Sequence, residues 1–123
     1  MARTSCKKAL PGARWERKAE SFLHHNGLTT VDRNFRCRLG EIDLIMEHGA
    51  CLVFAEIRYR QNSFFGSGAA SVTRAKQVRL IRAAQKYLQL NQHRAQQTCR
   101  FDVLSMGQTG GEMTYEWIKN AFC

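Results

Sequence analysis

Two short apolar segments, residues 41–46 and 51–59, constrain the fold of this chain more than any other feature. Only residues 47–50 separate them, a polar stretch that contains a glycine, so the pattern predicts an antiparallel β-hairpin. Each predicted strand carries an acidic side chain inside its apolar run, Asp43 in the first and Glu56 in the second. The sequence therefore predicts a sheet with a carboxylate on each of two neighbouring strands.

The length of the hairpin loop decides whether the two acids share a face of the sheet. If residues 48 and 49 form a two-residue loop, Asp43 lies opposite Phe54 and Glu56 lies opposite Glu41, all on one side. Any even loop length keeps the acids on one side. An odd loop or a bulge sends Asp43 and Glu56 to opposite faces.

Acids inside apolar strands need a compensating charge, because an unpaired buried carboxylate is costly. Mg²⁺ prefers carboxylate oxygens and keeps several waters, so Asp43 and Glu56 could bind such an ion and support phosphodiester hydrolysis. Arg58 lies on the same face as Glu56 and would neutralise the acids or contact a phosphate. The same residues, together with Glu41, could instead form a half-exposed ladder of cross-strand ion pairs.

The rest of the chain predicts one domain that combines helices with a mixed sheet. Residues 1–12 have no periodic apolar pattern and are expected to form a flexible basic tail before a single domain, 13–123. The expected order is helix, three strands, helix and two strands, at 13–26, 28–37, 41–46, 51–59, 72–91, 100–106 and 113–118. The expected apolar face of the long helix consists of Val78, Ile81, Ala84 and Leu88. This order predicts an α/β fold whose central mixed sheet is flanked by helices.

The chain is strongly basic, with 19 Lys and Arg against 10 Asp and Glu and a formal net charge of +9. That balance favours an anionic partner, of which nucleic acid fits best. The 5 scattered cysteines include no Cys-x-x-Cys pair, which argues against a disulfide framework and against a zinc cluster. No segment has the apolar length of a signal peptide or a membrane span, so we expect a cytoplasmic protein without a membrane partner.

Several motifs of this chain resemble the YraN-like family of bacterial proteins. The pair Gly-Glu-Ile-Asp-Leu-Ile and Phe-Ala-Glu-Ile-Arg-Tyr-Arg is the centre of the resemblance. Other matches extend it over nearly the whole chain, at Trp15-Glu16, Asn34, Val72-Thr73-Arg74-Ala75-Lys76, Arg100-Phe101-Asp102 and Trp117-Ile118-Lys119-Asn120-Ala121-Phe122. That family is grouped with the PD-(D/E)XK nucleases, relatives of archaeal Holliday-junction resolvases. The resemblance implies a restriction-endonuclease-like core and a metal-dependent endonuclease that acts on branched or recombination-type DNA.

The resemblance also implies roles for individual residues. Asp43 and Glu56 correspond to the metal-binding acids, and the main-chain oxygen of Ile57 corresponds to a further ligand of Mg²⁺ or Mn²⁺. Glu16 resembles an accessory acid beside the metal, although a helix-surface glutamate paired with an arginine fits its position equally well. Resolvase-like relatives commonly cleave as dimers, so a homodimer is a possible assembly.

Arg58 stands where the nuclease pattern usually has lysine. Arginine effectively cannot lose its proton, so Arg58 is expected to orient water or brace the transition state rather than act as a base. Lys76 could supply an amine to the site instead, or simply contact phosphate. Phe64 and Phe65 are expected in a loop near the site or a partner. The residues expected to contact nucleic acid are Arg58, Arg60, Arg74, Lys76 and Arg79. The alternative function is a non-catalytic nucleic-acid-binding protein that retains the nuclease fold.

Overall fold

The computed structural model of the protein describes residues 11–60 and 72–122. Within these residues, two helices and five strands follow one another in the predicted order, and a short 3-10 turn lies after the second helix. Their bounds are α1 Pro11–His25, β1 Thr29–Cys37, β2 Gly40–His48, β3 Cys51–Arg60, α2 Arg74–Leu90, the 3-10 turn Gln92–Arg94, β4 Thr98–Thr109 and β5 Glu112–Phe122. The predicted order of elements is therefore confirmed.

The five strands form one sheet in the order β1-β2-β3-β4-β5. Neighbouring strands are antiparallel except β3 and β4, which run parallel. Two parallel neighbours need a long crossover connection, and the segment that contains α2 supplies it. The sheet is thus mixed, as the α/β prediction requires.

One helix covers each face of the sheet, because side chains alternate between the two faces along a strand. Ala19 and Leu23 of α1 belong to the core on one face, and Leu80 and Tyr87 of α2 belong to the core on the other. All four side chains are buried. Full burial of a large apolar side chain contributes about 1.5–3 kcal/mol, so each helix is fixed to the sheet by its own core. The result is a three-layer arrangement with the sheet in the middle.

The buried face of α2 differs from the predicted one. Its buried residues are Leu80, Ala83, Ala84 and Tyr87. Of the predicted set only Ala84 is buried, while Val78, Ile81 and Leu88 are partly exposed. Both sets follow helical spacing, so periodicity alone does not choose between them. The ring of Tyr87 packs edge-on against Phe35 and Phe54 of the sheet, which turns the helix toward the second set.

The ends of two elements also differ from expectation. α1 begins at Pro11, inside the segment expected to be a tail, and proline suits the first turn of a helix because its φ is already helical. Residues 1–10, the rest of that expected tail, lie outside the described residues. The β2–β3 hairpin turns at Gly49 and Ala50 rather than at residues 48 and 49, and Gly49 has φ +63°, which glycine adopts most easily.

The different loop changes the predicted register of the hairpin. Ile45, rather than Asp43, lies opposite Phe54. The predicted pairing of Glu56 with Glu41 is also wrong, because the ladder shifts by two residues on one strand. A shift of two preserves the face on which each side chain lies, so the even loop length was the correct part of the prediction.

A buried carboxylate fastens β4 to β5. Asp102 is 2% exposed and accepts hydrogen bonds from Arg100 Nε at 2.9 Å and a terminal Arg100 nitrogen at 3.0 Å. The Trp117 indole N–H and the Asn120 main-chain N–H donate to it as well, each at 2.9 Å. These donors satisfy the charge from within the protein, so Asp102 has a structural role although it lies in one of the matched motifs.

Two expectations drawn from composition concern membrane-spanning segments and disulfide bonds. Among the described residues, no helix has both the length and the apolar character needed to cross a membrane. The thiols of Cys37, Cys51 and Cys99 are free.

Candidate active site

Strands β2 and β3 separate at the two predicted acids. Their ladder ends with the pair Leu44–Ala55, and the next pair in the same register would be Asp43 and Glu56. Instead, the main-chain N–H of Ile57 donates to Oδ2 of Asp43 at 2.9 Å. The Asp43 carboxylate thus takes the place of a main-chain acceptor and lies in the fork between the strands.

A backbone irregularity explains why Asp43 points into this fork. Ile42 packs in the core beneath α2, whereas Leu44 packs in the core beneath α1. Residues two apart on a regular strand share a face, so the alternation is interrupted at Asp43. On the neighbouring strand Asn34 has φ +50°, in the left-handed region that asparagine tolerates better than most residues. Such positions concentrate at functional sites, where the surrounding fold holds them in place.

The electrostatic environment of Asp43 links it to several other acids. Burial raises the pKa of Asp43 well above its usual value, and the negative charge of Glu56 raises it further. The hydrogen bond from Ile57 opposes this rise, while the charges of Glu16 and Glu41 add to it. The fork is therefore a place where added positive charge would be stabilised.

Glu56 is buried, 5% exposed, and lies beside two cationic side chains. Lys76 Nζ lies 3.3 Å from Oε2 of Glu56, and a terminal nitrogen of Arg58 lies 3.4 Å from the same oxygen. Arg58 shares the face of β3 with Glu56, and Lys76 reaches the acid from the first turn of α2. The structure thus brings Lys76, which the sequence suggested as an alternative amine or as a phosphate contact, next to the predicted acid.

A cavity of about 360 Å³ opens from Asp43 toward α1. Glu16 and Glu20 of α1, with Arg33 and Asn34 of β1, line it together with Asp43. Arg33 lies 2.8 Å from Glu20. Burial tends to raise the pKa of Glu20, but hydrogen bonds from Arg33 and Thr30 outweigh it and hold that pKa below its usual value. The charge of Glu20 is thus neutralised by Arg33. The other two acids that line this cavity, Glu16 and Asp43, do not form an ion pair with Arg33.

The donors at the fork fit a small divalent cation in kind. Over residues 11–60 and 72–122, no three His, Cys, Asp or Glu side chains come together closely enough to hold a metal. A cation would therefore depend on Asp43, Glu56, a main-chain oxygen and water. In an extended strand the N–H and C=O of one residue point to the same neighbour, so the Ile57 carbonyl faces the fork as its N–H does. Oxygen donors of this kind suit Mg²⁺ and Mn²⁺.

The predicted nucleic-acid contacts lie mainly around the start of α2. Arg74, Lys76 and Arg79 all lie in the first two turns of that helix, and Arg74 and Arg79 are exposed. Arg58 lies next to Glu56 on β3. Arg60 ends β3, but its side chain is outside the described part of the chain, as are Phe64 and Phe65.

Sequence reasoning missed Glu20 and gave Asn34 no role at the site. Glu20 had a detectable signal, because Glu16 and Glu20 are separated by four residues and so lie on one face of a helix. Asn34 was part of a matched motif, but only the backbone reveals its left-handed conformation.

Comparison with known proteins gives the family. A model described as "Uncharacterised protein family UPF0102" matches residues 15–106. The chain belongs to the UPF0102 family. This membership confirms the YraN-like resemblance, and the matched range contains Glu16, Asp43, Glu56 and Lys76.

Relatives of this UPF0102 protein match it over most of both chains. The UPF0102 protein of Saccharophagus degradans is 49% identical over 111 residues, which is 90% of this chain and 91% of the relative. The UPF0102 protein of Nitrosospira multiformis is 49% identical over 114 residues, 92% of each chain. That of Aeromonas hydrophila is 47% identical over 112 residues, 90% of this chain and 83% of the relative.

Proposed function

We propose that this UPF0102 protein is a metal-dependent endonuclease of the PD-(D/E)XK type that hydrolyses phosphodiesters in branched or recombination-type DNA. The observation that carries the proposal is the fork between β2 and β3. There the pKa of Asp43 is raised by burial and by the charge of Glu56, while two cationic side chains lie against Glu56. An acid pair next to fixed positive charge is what cleavage of a charged ester requires.

Asp43, Glu56 and the main-chain oxygen of Ile57 would hold Mg²⁺ or Mn²⁺. A bound ion of this kind polarises a phosphoryl oxygen and provides hydroxide near neutral pH. The protein's own contribution is to hold the ligands ready. The Ile57 N–H fixes the orientation of Asp43 at 2.9 Å, and the strand alternation directs Glu56 toward α2.

Arg58 and Lys76 would act on the substrate as well as on Glu56. A guanidinium keeps its proton, so Arg58 would serve as a fixed positive charge. It would stabilise the negative charge that develops on the phosphoryl oxygens in the transition state. Lys76 would be the ammonium group nearest the acid, in place of the lysine expected two residues after Glu56. Glu16, which interacts electrostatically with Asp43, would orient a water on the α1 side.

The charge of the protein supports DNA as the substrate. A formal net charge of +9 favours a polyanion, and Arg74, Lys76 and Arg79 lie in the first two turns of α2, from which Lys76 reaches Glu56. Cleaving both strands of a symmetric junction takes two centres, so the proposal includes a homodimer on the substrate. It also assigns the protein to the cytoplasm, where bacterial DNA lies.

The test is cleavage of labelled four-way junctions, duplex and single-stranded DNA with Mg²⁺, Mn²⁺ or chelator. We expect metal-dependent cleavage of the branched substrate by the unaltered protein and loss of at least about a hundredfold in Asp43→Asn, as for removal of a group that acts in the transition state. Glu112→Gln, which removes an exposed carboxylate at the start of β5, is the matched control and should cleave normally. Equal cleavage by both variants would refute the proposal.

A second candidate function is metal-independent binding of nucleic acid. It is favoured by the pairing of Glu56 with Lys76 and Arg58, because these cations neutralise the acid without a metal ion. This candidate predicts salt-sensitive DNA binding that is unchanged by chelator, with no cleavage under any metal. The same set of substrates and metals separates the two functions.

A further inference from the structure

We propose that the cleft between the β1–β2 turn and α2 binds the sugar-phosphate backbone of duplex DNA, and so supplies the substrate-binding surface of the proposed active site. The inference rests on the proposed function for its substrate class. It goes further in assigning Arg38, which does not belong to the predicted contacts, to binding of phosphates.

The cleft is a defined concave feature of about 410 Å³. The β1–β2 turn forms one wall with Arg36, Arg38 and Gly40, and α2 forms the other with Lys76 and Arg79. Gly40 allows the two walls to approach. A Cβ atom at this position would lie 3.1 Å from the main-chain oxygen of Arg79, which is closer than side-chain atoms normally come to backbone.

The charges that line the cleft are unevenly balanced. Arg36 Nε pairs with Glu41 Oε1 at 3.0 Å. By contrast, no carboxylate within the described ranges lies at ion-pair distance from Arg38 or Arg79, both of which are exposed. Arginine is well suited to bind phosphate because its planar group donates two parallel hydrogen bonds. Two uncompensated arginines facing one cleft therefore favour a phosphodiester backbone as its occupant.

The start of α2 adds an independent reason for an anion here. The amino end of a helix carries partial positive charge, so acidic residues usually occupy its first turn. The first turn of α2 contains no acid but does contain Arg74 and Lys76. These cations lower the stability of the helix slightly, and a bound phosphate would reverse the effect.

Lys76 connects the cleft to the acids of the candidate site. It lines the cleft, and its Nζ lies 3.3 Å from Glu56 Oε2. A DNA strand that follows Arg38 and Arg79 would thus pass Lys76 and arrive beside Glu56. The cleft would align the strand with the acids and would contact phosphates rather than bases, so it would not select a sequence.

The test measures the affinity for fluorescein-labelled duplex DNA by anisotropy, in chelator, between 0.05 and 0.3 M salt as a chosen range. The double variant Arg38→Gln/Arg79→Gln removes the two unpaired charges of the cleft. The double variant Lys18→Gln/Lys119→Gln is the matched control, since it removes the same charge from exposed positions on α1 and β5. Each lost phosphate contact lowers the salt slope by about 0.9.

We expect the cleft variant to lose about 1.8 from the salt slope and to bind about sixtyfold more weakly at 0.1 M salt, with little change in the control. Equal weakening of both variants would attribute binding to net charge and overturn the proposal, as would no weakening of either. Gly40→Ala gives a second measure that leaves charge unaltered, and it should weaken binding because the added Cβ atom would push the two walls of the cleft apart. Circular dichroism confirms that each variant is folded before its binding is compared.

Two further measurements distinguish failure of the cleft proposal from failure of the nuclease proposal. Labelled polyglutamate binding that shows the same dependence on the cleft arginines would indicate an acidic protein partner and overturn the assignment to DNA. Because binding is measured in chelator, it does not depend on hydrolysis. Cleavage that requires Asp43 but is indifferent to the cleft variant would refute the cleft alone, whereas cleft-dependent binding without cleavage would refute the nuclease proposal alone.

Discussion

Replacing Asp43 with asparagine should stabilise the protein at neutral pH even as it removes a proposed metal ligand. Burial and the charge of Glu56 raise the pKa of Asp43 in the folded state. The folded protein therefore holds this proton more tightly than the unfolded chain, and ionisation of Asp43 costs folding free energy. The penalty is absent below the unfolded pKa of about 3.9, grows as the pH rises toward the raised folded pKa, and is complete above it.

The size of the gain follows from what asparagine keeps. Its side-chain oxygen can accept the Ile57 N–H that Asp43 now accepts at 2.9 Å, so no hydrogen bond is lost. Substitutions that relieve unfavourable functional positions commonly gain about 0.5–2 kcal/mol, and the cations beside Glu56 already weaken the repulsion. We expect about 1 kcal/mol, or about 4 °C in Tm. Asp43→Ala loses the hydrogen bond, worth about 1 kcal/mol, and should show almost no net gain.

The assay is urea unfolding between pH 5 and 8 in chelator, followed by tryptophan fluorescence. The advantage of Asp43→Asn over the unaltered protein should grow with pH, while Glu112→Gln should track the unaltered protein. A difference that stays constant with pH, or an asparagine variant that is less stable at pH 7, would contradict the reasoning. Added Mg²⁺ should then stabilise the unaltered protein by RT ln(1 + [Mg²⁺]/Kd) and leave the variant unchanged.

Two other substitutions test neighbouring parts of the structure. Asp102→Ala should destabilise the protein by about 3–5 kcal/mol in the same unfolding assay, because it leaves Arg100 and the Trp117 indole without their buried acceptor. A fall in the free energy of unfolding of less than about 1 kcal/mol would contradict the structural role of Asp102. Arg58→Lys should raise cleavage of branched DNA by at least about tenfold if a lysine two residues after Glu56 can serve as a base, and unchanged turnover would argue against that role for the position.

The sequence predicted the hairpin and the face of Glu56 because both depend on local rules, whereas the interrupted alternation at Asp43 was not predicted. An even loop keeps side chains on their faces, so the choice between residues 48–49 and 49–50 shifted the register without moving Glu56 to the other side. The predicted buried face of α2 was wrong because two sets of apolar residues fit the helical period. Only contact with the aromatic rings of Phe35 and Phe54 on the sheet selects the set that contains Tyr87. Nothing local distinguishes these sets.

The fork itself was beyond prediction for a different reason. It depends on Asn34 and Asp43 leaving regular strand geometry at neighbouring points of two strands. Asparagine only permits a left-handed backbone and does not impose it. Likewise, Lys76 meets Glu56 only because the crossover returns α2 to the same face of the sheet, a contact of long sequence separation.

Because the Ile57 N–H donates to the side chain of Asp43, it is not available to extend the main-chain ladder between β2 and β3. An aliphatic residue at position 43 would offer the amide no side-chain acceptor, so the Ile57 N–H would lose its partner on β2. A single carboxylate thereby joins the two strands beyond the last main-chain pair, Leu44–Ala55, and it does so before any ligand binds.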